Sequence, residues 1–301
     1  MAPPPTMSVA EAMRLRLVET PQLSIAVEEH GPETGLPMIL LHGFPYSARC
    51  YDGLLPHLAG HRLLVPHLRG YGQTRLKPGM PRSGAQGALG ADLLALMDAL
   101  AIPSAILAGY DWGGRAACVV AALHPARCAG LLSCTGYNIQ DIARANEPQP
   151  PEREMRHWYQ FYLHGERGAR GLAQNRAAFC RLLWSLWSPA WRFTEVDFAA
   201  SAAHFDNPDF VEVVLHSYRH RFGLVPGDPA HDGIEAALAQ LPPITVPTLD
   251  LHGAADGVNP PPAQPSPRFT GRFERRLLPG VGHNPPQEAP AAFARALLDL
   301  A

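Results

Sequence analysis

The stretch AILAGYDWGGRAACVVAALHP, residues 105–125, decides how this chain is read. Its opening residues are apolar or small and suit a buried strand, whereas RAACVVAALHP suits a helix that stops before Pro125. Between them, Gly109-Tyr110-Asp111-Trp112-Gly113-Gly114 sets small residues on both sides of Asp111. A turn of the form small-x-nucleophile-x-small pushes one side chain out above a sheet, and its glycines let the backbone pass without steric conflict. The exposed residue is an aspartate, not serine or cysteine. Taken alone, an Asp before Trp-Gly-Gly is read equally well as a helix cap. The surrounding segments decide between the two.

Upstream and downstream of this turn, from about residue 13 to 137, short apolar runs alternate with helical stretches and no internal repeat occurs. Strands are expected at 14–18, 24–30, 38–42, 62–68, 105–111 and 130–136. Several lack in/out alternation, as strands covered on both faces do. ALGADLLALMDAL, residues 88–100, places Leu89, Leu93, Leu96, Met97 and Leu100 on one helical stripe suited to core packing. Residues 138–240 change character: they are rich in Trp, Phe, Tyr, Arg and His at helix-like spacing. The strand-and-helix rhythm then returns at 244–253 and 273–280, with a final helix from about Pro290 to Leu300. The expected fold is α/β, a mostly parallel sheet flanked by helices. Its core is formed by residues 1–137 and 241–301, and a helical cap, 138–240, is inserted between them.

Composition narrows the function. With 301 residues, 47% hydrophobic and 17% charged, the chain is globular, and its 32 Pro and 27 Gly point to many rigid turns. Lys plus Arg number 25 against 27 Asp plus Glu, with no polybasic block, so neither nucleic acid nor an acidic membrane is an expected partner. Cys50, Cys118, Cys128, Cys134 and Cys180 are odd in number and form no Cys-x-x-Cys pair, which fits a reducing cytoplasm. The first residues, MAPPPTMSVAEAM, carry no basic region followed by an apolar run, and Met7 is a second candidate start. No run reaches the ~18 apolar residues of a membrane span. No dinucleotide fingerprint or phosphate-binding loop occurs, so no cofactor is expected. His216 and His220 have the i,i+4 spacing of some zinc ligands, but no carboxylate completes a site and no metal is expected.

Three further segments bear on Asp111. Leu41-His42-Gly43-Phe44-Pro45 ends the third strand, where a loop can present N–H groups to an oxyanion. His252-Gly253-Ala254-Ala255-Asp256 places an acid just past a late strand, and Gly280-Val281-Gly282-His283 places a histidine after the last one. None is specific alone. Their order is: nucleophile, acid and histidine succeed one another as they do in the α/β-hydrolase fold.

On these motifs the chain resembles the α/β-hydrolase-fold epoxide hydrolases over nearly its whole length. HGFP and GYDWGG are similar to that group's oxyanion loop and elbow, and RGYG at Arg69–Gly72 to its loop after the fourth strand. WYQFYLHGERGARG and HSYRHRF resemble the two cap-tyrosine segments, which places the tyrosines at Tyr159 and Tyr218. The residues themselves leave Tyr162, three positions on, as an alternative to Tyr159. The resemblance further implies that N–H groups of Phe44 and Trp112 hold the oxyanion, and that Phe44, Trp112, Tyr159 and Tyr218 meet the substrate. The chain departs from the family in carrying His67, where Asp is common, and in the Pro-rich loop NPPPAQPSP after Asp256.

The implied chemistry is complete. An ionised Asp111 needs no base to open a strained epoxide, but the basic alkoxide leaving group needs a proton, which two phenols supply. Water then attacks the ester carbonyl, with His283 as base and Asp256 orienting it. Dehalogenases of the same fold use the same aspartyl ester and are the alternative; paired tyrosines favour the epoxide. A non-catalytic receptor has less reason to carry Asp111, Asp256 and His283 together. The expected reactants are a small apolar epoxide and water, with Trp158, Phe161, Trp184, Trp187 and Trp191 as pocket or cap-core residues. Oligomeric state has no signature in the chain.

Overall fold

A computed structural model describes residues 13–301, and the readings of residues 1–12 lie outside that range. Nine strands form one sheet: β1 Arg14–Glu19, β2 Leu23–His30, β3 Met38–Leu41, β4 Leu63–Pro66, β5 Arg75–Leu76, β6 Ala105–Gly109, β7 Cys128–Cys134, β8 Thr248–Gly253 and β9 Phe273–Leu278. Their order is β1-β2-β4-β3-β6-β7-β8-β9, with β5 paired to β2. The pairs β1·β2, β2·β4 and β2·β5 are antiparallel, and every other pairing, from β4·β3 through to β9, is parallel.

Burial explains the composition of each strand. Every residue of β3, β4, β6 and β8 is buried; β3, β4 and β6 read as unbroken apolar runs, whereas β8 also buries Thr248, Asp250 and His252. β1 and β9 form the two ends of the sheet and keep most of their side chains exposed or half-exposed, with Arg14, Arg16 and Arg276 among them. Such charged edges discourage further strand pairing. The two-residue β5 was not anticipated: Arg75–Leu76 carries no alternation and pairs only through its contact with Leu23 and Ser24.

Helix α1, Gln86–Ala99, buries Leu89, Leu93, Leu96 and Met97, leaving Leu100 half-buried just past its end. It crosses α2, Asp111–Leu123, so closely that a β-carbon on Gly90 would lie 2.2 Å from Val119 Cγ1. Between β7 and β8 every regular element is helical. The α-helices there are α3 Pro151–Arg156, α4 Trp158–His164, α5 Glu166–Gln174, α6 Arg176–Trp187, α7 Glu195–Ala202, α8 Phe210–His220 and α9 Asp232–Leu238. Helices α10, Pro285–Glu288, and α11, Pro290–Leu298, close the chain. Among the described residues no helix is long and apolar enough to cross a membrane.

The sheet sets up the site topologically. β3 lies between β4 and β6, the point at which strand order reverses, and such a point opens a crevice beyond the carboxyl ends of parallel strands. Phe44 follows β3, Asp111 follows β6, Asp256 follows β8 and His283 follows β9, so one edge of the sheet receives all four.

Candidate active site

Asp111 occupies a strained turn. Its φ is +50°, in the left-handed region, where a non-glycine residue pays about 1–3 kcal/mol and persists only if its surroundings enforce it. They do so by close approach: a β-carbon on Gly113 would lie 2.0 Å from the Leu41 carbonyl oxygen, and one on Gly109 would lie 2.5 Å from the Gly113 carbonyl carbon. The start of α2 is thereby pressed onto the end of β3. As a result the Phe44 and Trp112 N–H groups both donate to Asp111 Oδ1, at 2.8 and 2.7 Å. A helix cap alone does not account for the bond from Phe44, 67 residues away in sequence.

The other carboxylate oxygen, Oδ2, is 3.8 Å from His283 Nε2. On the far side of the ring, His283 Nδ1–H donates to Asp256 Oδ2 at 2.8 Å. Asp256 Oδ1 accepts from the Val258 and Asn259 N–H groups, which fixes the carboxylate at the start of the Pro-rich loop. Burial opposes charge on His283, but the Asp256 carboxylate and the bond toward Asp111 outweigh it and raise the imidazole well above its ordinary value. Burial likewise pushes the Asp111 carboxyl up, and His283, Arg115 and the Phe44 N–H together hold it below its usual range. The resting site is thus a carboxylate, imidazolium, carboxylate row.

Tyr159 on α4 and Tyr218 on α8 meet edge to face, ring centroids 5.4 Å apart. Tyr218 also packs on Phe44 at 5.4 Å, and Tyr159 on Trp187 at 5.1 Å. Burial raises both phenols, Tyr159 to about 12 and Tyr218 well above its ordinary value, so both keep their protons at neutral pH. Gln160 Nε2 donates to the Tyr159 oxygen at 3.0 Å, leaving the Tyr159 proton free to be given elsewhere. Tyr162 is turned away, onto Trp158 and Phe179. Of the two candidates, only Tyr159 lines the cleft that reaches Asp111.

Residues 37–290 match the family model described as alpha/beta hydrolase fold. The chain belongs to that family. Among curated proteins, this α/β hydrolase is 34% identical to Epoxide hydrolase B of Mycobacterium tuberculosis over 153 residues, 46% of this chain and 43% of that one. It is 33% identical to Epoxide hydrolase A of the same organism over 136 residues, 44% of this chain and 41% of the relative. These matches span less than half of either curated protein. A candidate epoxide hydrolase from Klebsiella pneumoniae, solved by crystallography, is 45% identical and superposes with a TM-score of 0.93, covering 97% of both chains.

Several residues that shape the site of this α/β hydrolase carry no sequence signal of that role. His42 is fully buried: its Nδ1–H donates to the Gly43 carbonyl and its Nε2 accepts from the Leu68 N–H, at 3.1 Å each. Burial drives its pKa down to about 3, so it stays neutral and ties the oxyanion loop to the segment after β4. Ser188 accepts from the His283 N–H at 3.0 Å and donates to Glu288 at 2.6 Å, and Glu288 also accepts from the Gly282 and Asn284 N–H groups. His67 bonds Glu28 at 2.9 Å and packs against His204 with ring centroids 4.8 Å apart, outside the cleft. His216 spends both ring nitrogens on backbone, at Gly84 N–H and Pro226 O. RGYG holds the loop after β4 to α1, through a two-pronged Arg69–Asp92 pair at 2.6 and 2.7 Å.

The aromatic residues that fit a pocket wall or a cap core equally, Trp158, Phe161, Trp184, Trp187 and Trp191, do not line that cleft. Trp184 stacks on Trp191 and on Tyr46, which follows β3, and Trp158 packs on Phe179. Trp187 alone comes up to the site, 5.0 Å from the His283 ring. The cleft, about 900 Å³ in volume, is lined by Asp111, Tyr159, Arg115, Arg221 and other largely polar residues.

Proposed function

We propose that this chain is an epoxide hydrolase, converting an epoxide to a vicinal diol through an ester on Asp111, with residues 138–240 as a cap over the core. The observation that carries this reading is the division of labour at the Asp111 carboxylate. One oxygen is held by two N–H groups and the other lies 3.8 Å from His283 Nε2, while the Tyr159 and Tyr218 phenols are near enough for the Asp111 charge to help raise them. Oδ2 attacks an epoxide carbon, the C–O bond of the ring breaks, and Tyr159 or Tyr218 gives its proton to the departing alkoxide. Water then attacks Asp111 Cγ as His283 Nε2 takes its proton. Negative charge develops on Oδ1, already within 2.8 Å of both donors. Collapse breaks the Cγ–Oδ2 bond, the departing diol oxygen takes the proton left on the new carboxyl group, and His283 returns its proton to the phenolate, so that Asp111 is again a carboxylate. The similarity to the epoxide hydrolases of M. tuberculosis and to the candidate epoxide hydrolase of K. pneumoniae supports the same reaction. The five cysteines, all free and buried, support work in a reducing compartment such as the cytoplasm.

The test is a parallel assay of small epoxides and of chloro- and fluoro-compounds, following diol and halide. Diol without halide is expected; halide release with every epoxide untouched overturns the reading in favour of dehalogenation. The tyrosines discriminate further, because an alkoxide needs a proton and a halide does not. Tyr159→Phe or Tyr218→Phe should slow alkylation of Asp111 about tenfold each, and the double variant about 10³-fold, with ester hydrolysis much less affected. Rapid-quench kinetics separate the two steps, and a double variant that alkylates at the wild-type rate removes both phenols from the mechanism.

A further inference from the structure

Beside Asp111 the cleft holds two buried guanidinium groups that take no part in the bond changes above. Arg115 lies one helical turn beyond Asp111 on α2, and Arg221 directly follows α8. Each is only 7% exposed, and both line the cleft with Asp111. Neither forms an ion pair with a carboxylate among the described residues. Arg115 Nε and Nη1 are buried with no hydrogen-bond partner at all. Arg221 gives two donors to Ser217, at 3.2 and 3.0 Å, and lies over the Tyr218 ring with its carbon 4.3 Å from the centroid.

Buried arginines are ordinarily paired, because desolvated charge is costly. Here the two lie close enough to disfavour each other: burial and then the Arg221 charge pull Arg115 down to about 10, which still leaves it cationic at neutral pH. Asp111 is the acid that favours the Arg115 charge, but both its oxygens are already engaged, and esterification removes its charge altogether. The inner site therefore sets Asp111 and Asp256 against His283, Arg115 and Arg221, two negative groups against three positive ones. Farther out the lining balances Arg144, Arg153 and Arg156 with Asp141, Glu147 and Glu152, so the unmatched positive charge is confined to the reacting end.

The geometry points to an anionic substrate: an epoxide carrying a carboxylate one or two carbons from the ring, held by Arg115 and Arg221 while Asp111 attacks. This rests on the epoxide reading of Asp111 and names its substrate class, in place of the apolar epoxide expected from sequence. One monoanion restores the missing charge. Residues i and i+4 share one face of a helix, so an acid group close to the ring can meet Arg115 while the ring meets Asp111. A carboxylate takes charge-assisted hydrogen bonds from guanidinium, and Arg221 binds it without displacing the phenol beneath.

The experiment compares kcat/KM for glycidate and glycidamide, which share shape and differ in charge, using the whole chain at neutral pH. Wild type should favour the acid on the order of 100-fold, the discrimination of a site built around a charged hydrogen-bond partner. The ratio should fall toward one in Arg115→Met and in Arg221→Met. A wild-type ratio near one, with diol formed from both, overturns the anionic substrate and leaves the epoxide reading standing. Titration calorimetry with inert propionate and propionamide reads the subsite without turnover. Propionate should bind at least tenfold more tightly to wild type and lose that advantage in both variants; equal binding overturns the subsite. Selective propionate binding without diol from either oxirane is the failure of the epoxide reading, not of the subsite.

Discussion

A single turnover in heavy-oxygen water should leave the label in the Asp111 carboxylate and none in the first diol released. The reason is the bond that breaks in the second half-reaction. Water attacks Cγ, so the oxygen Asp111 delivered to the substrate departs with the diol and the solvent oxygen replaces it. Mass spectrometry of the peptide containing Asp111 reads this directly, and label found in the diol alone means that water attacks the epoxide without an ester. The matching variant is Asp111→Asn. Asn tolerates a positive φ, and its amide oxygen can still accept from Phe44 and Trp112, so the turn is kept while the nucleophile is lost. Diol formation should drop by at least about 10⁴-fold, the scale on which removal of a nucleophile acts. Activity within tenfold of wild type excludes Asp111 as the attacking group.

His283→Gln should trap the ester. Asp111 is held ionised by several partners, of which the Phe44 N–H and Arg115 survive this change, so alkylation proceeds. Hydrolysis loses its base and should slow by about 10²–10⁴-fold. Intact-mass analysis after mixing with substrate should show protein heavier by one substrate molecule. A variant that turns over normally takes His283 out of the mechanism. The wild-type pH dependence has a defined sign. In the resting site the imidazole is raised by Asp256 and by Asp111, and esterification cancels the Asp111 share. The His283 pKa therefore falls on alkylation. Ester hydrolysis should speed up as pH rises through that lowered value, whereas alkylation, which needs only the carboxylate and a protonated phenol, stays flat over the same span.

Much of this site is written locally in the chain. The strand, the tight turn and the helix around Asp111 are contiguous, and the glycines that let α2 approach β3 sit within four residues of one another. Phe44 is legible because it follows an unbroken apolar strand, and Asp256 and His283 because each stands in a Gly-containing turn after a late strand, in the order acid then histidine. What is illegible depends on partners far away in sequence. Ser188 and Glu288 are separated by 100 residues, and nothing near either predicts their bond. Tyr159 and Tyr162 share a helix and a residue type, and only the position of Phe179 on another helix separates them. The same holds for the tryptophans, whose composition fits a pocket wall and a cap core equally well. Arg115 lies inside the motif that decides the fold, yet its lack of a partner becomes visible only when every neighbouring acid has been placed.

The bond network around Glu288 bears on how this protein can be altered. Ser188 lies in the helical segment, but it grips the N–H of His283, and the carbonyl of neighbouring Trp187 accepts from Gly257 beside Asp256. The two loops that carry His283 and Asp256 are therefore sewn to the helices between β7 and β8 as well as to the sheet. A cap transplanted from a relative is not a neutral module in this chain. A donor segment lacking a hydroxyl at position 188 leaves the His283 backbone and Glu288 without their shared partner, and such a chimera should lose ester hydrolysis before it loses substrate binding. Exchange of caps to change specificity has to carry the junction after Trp187 along with it, or begin beyond it.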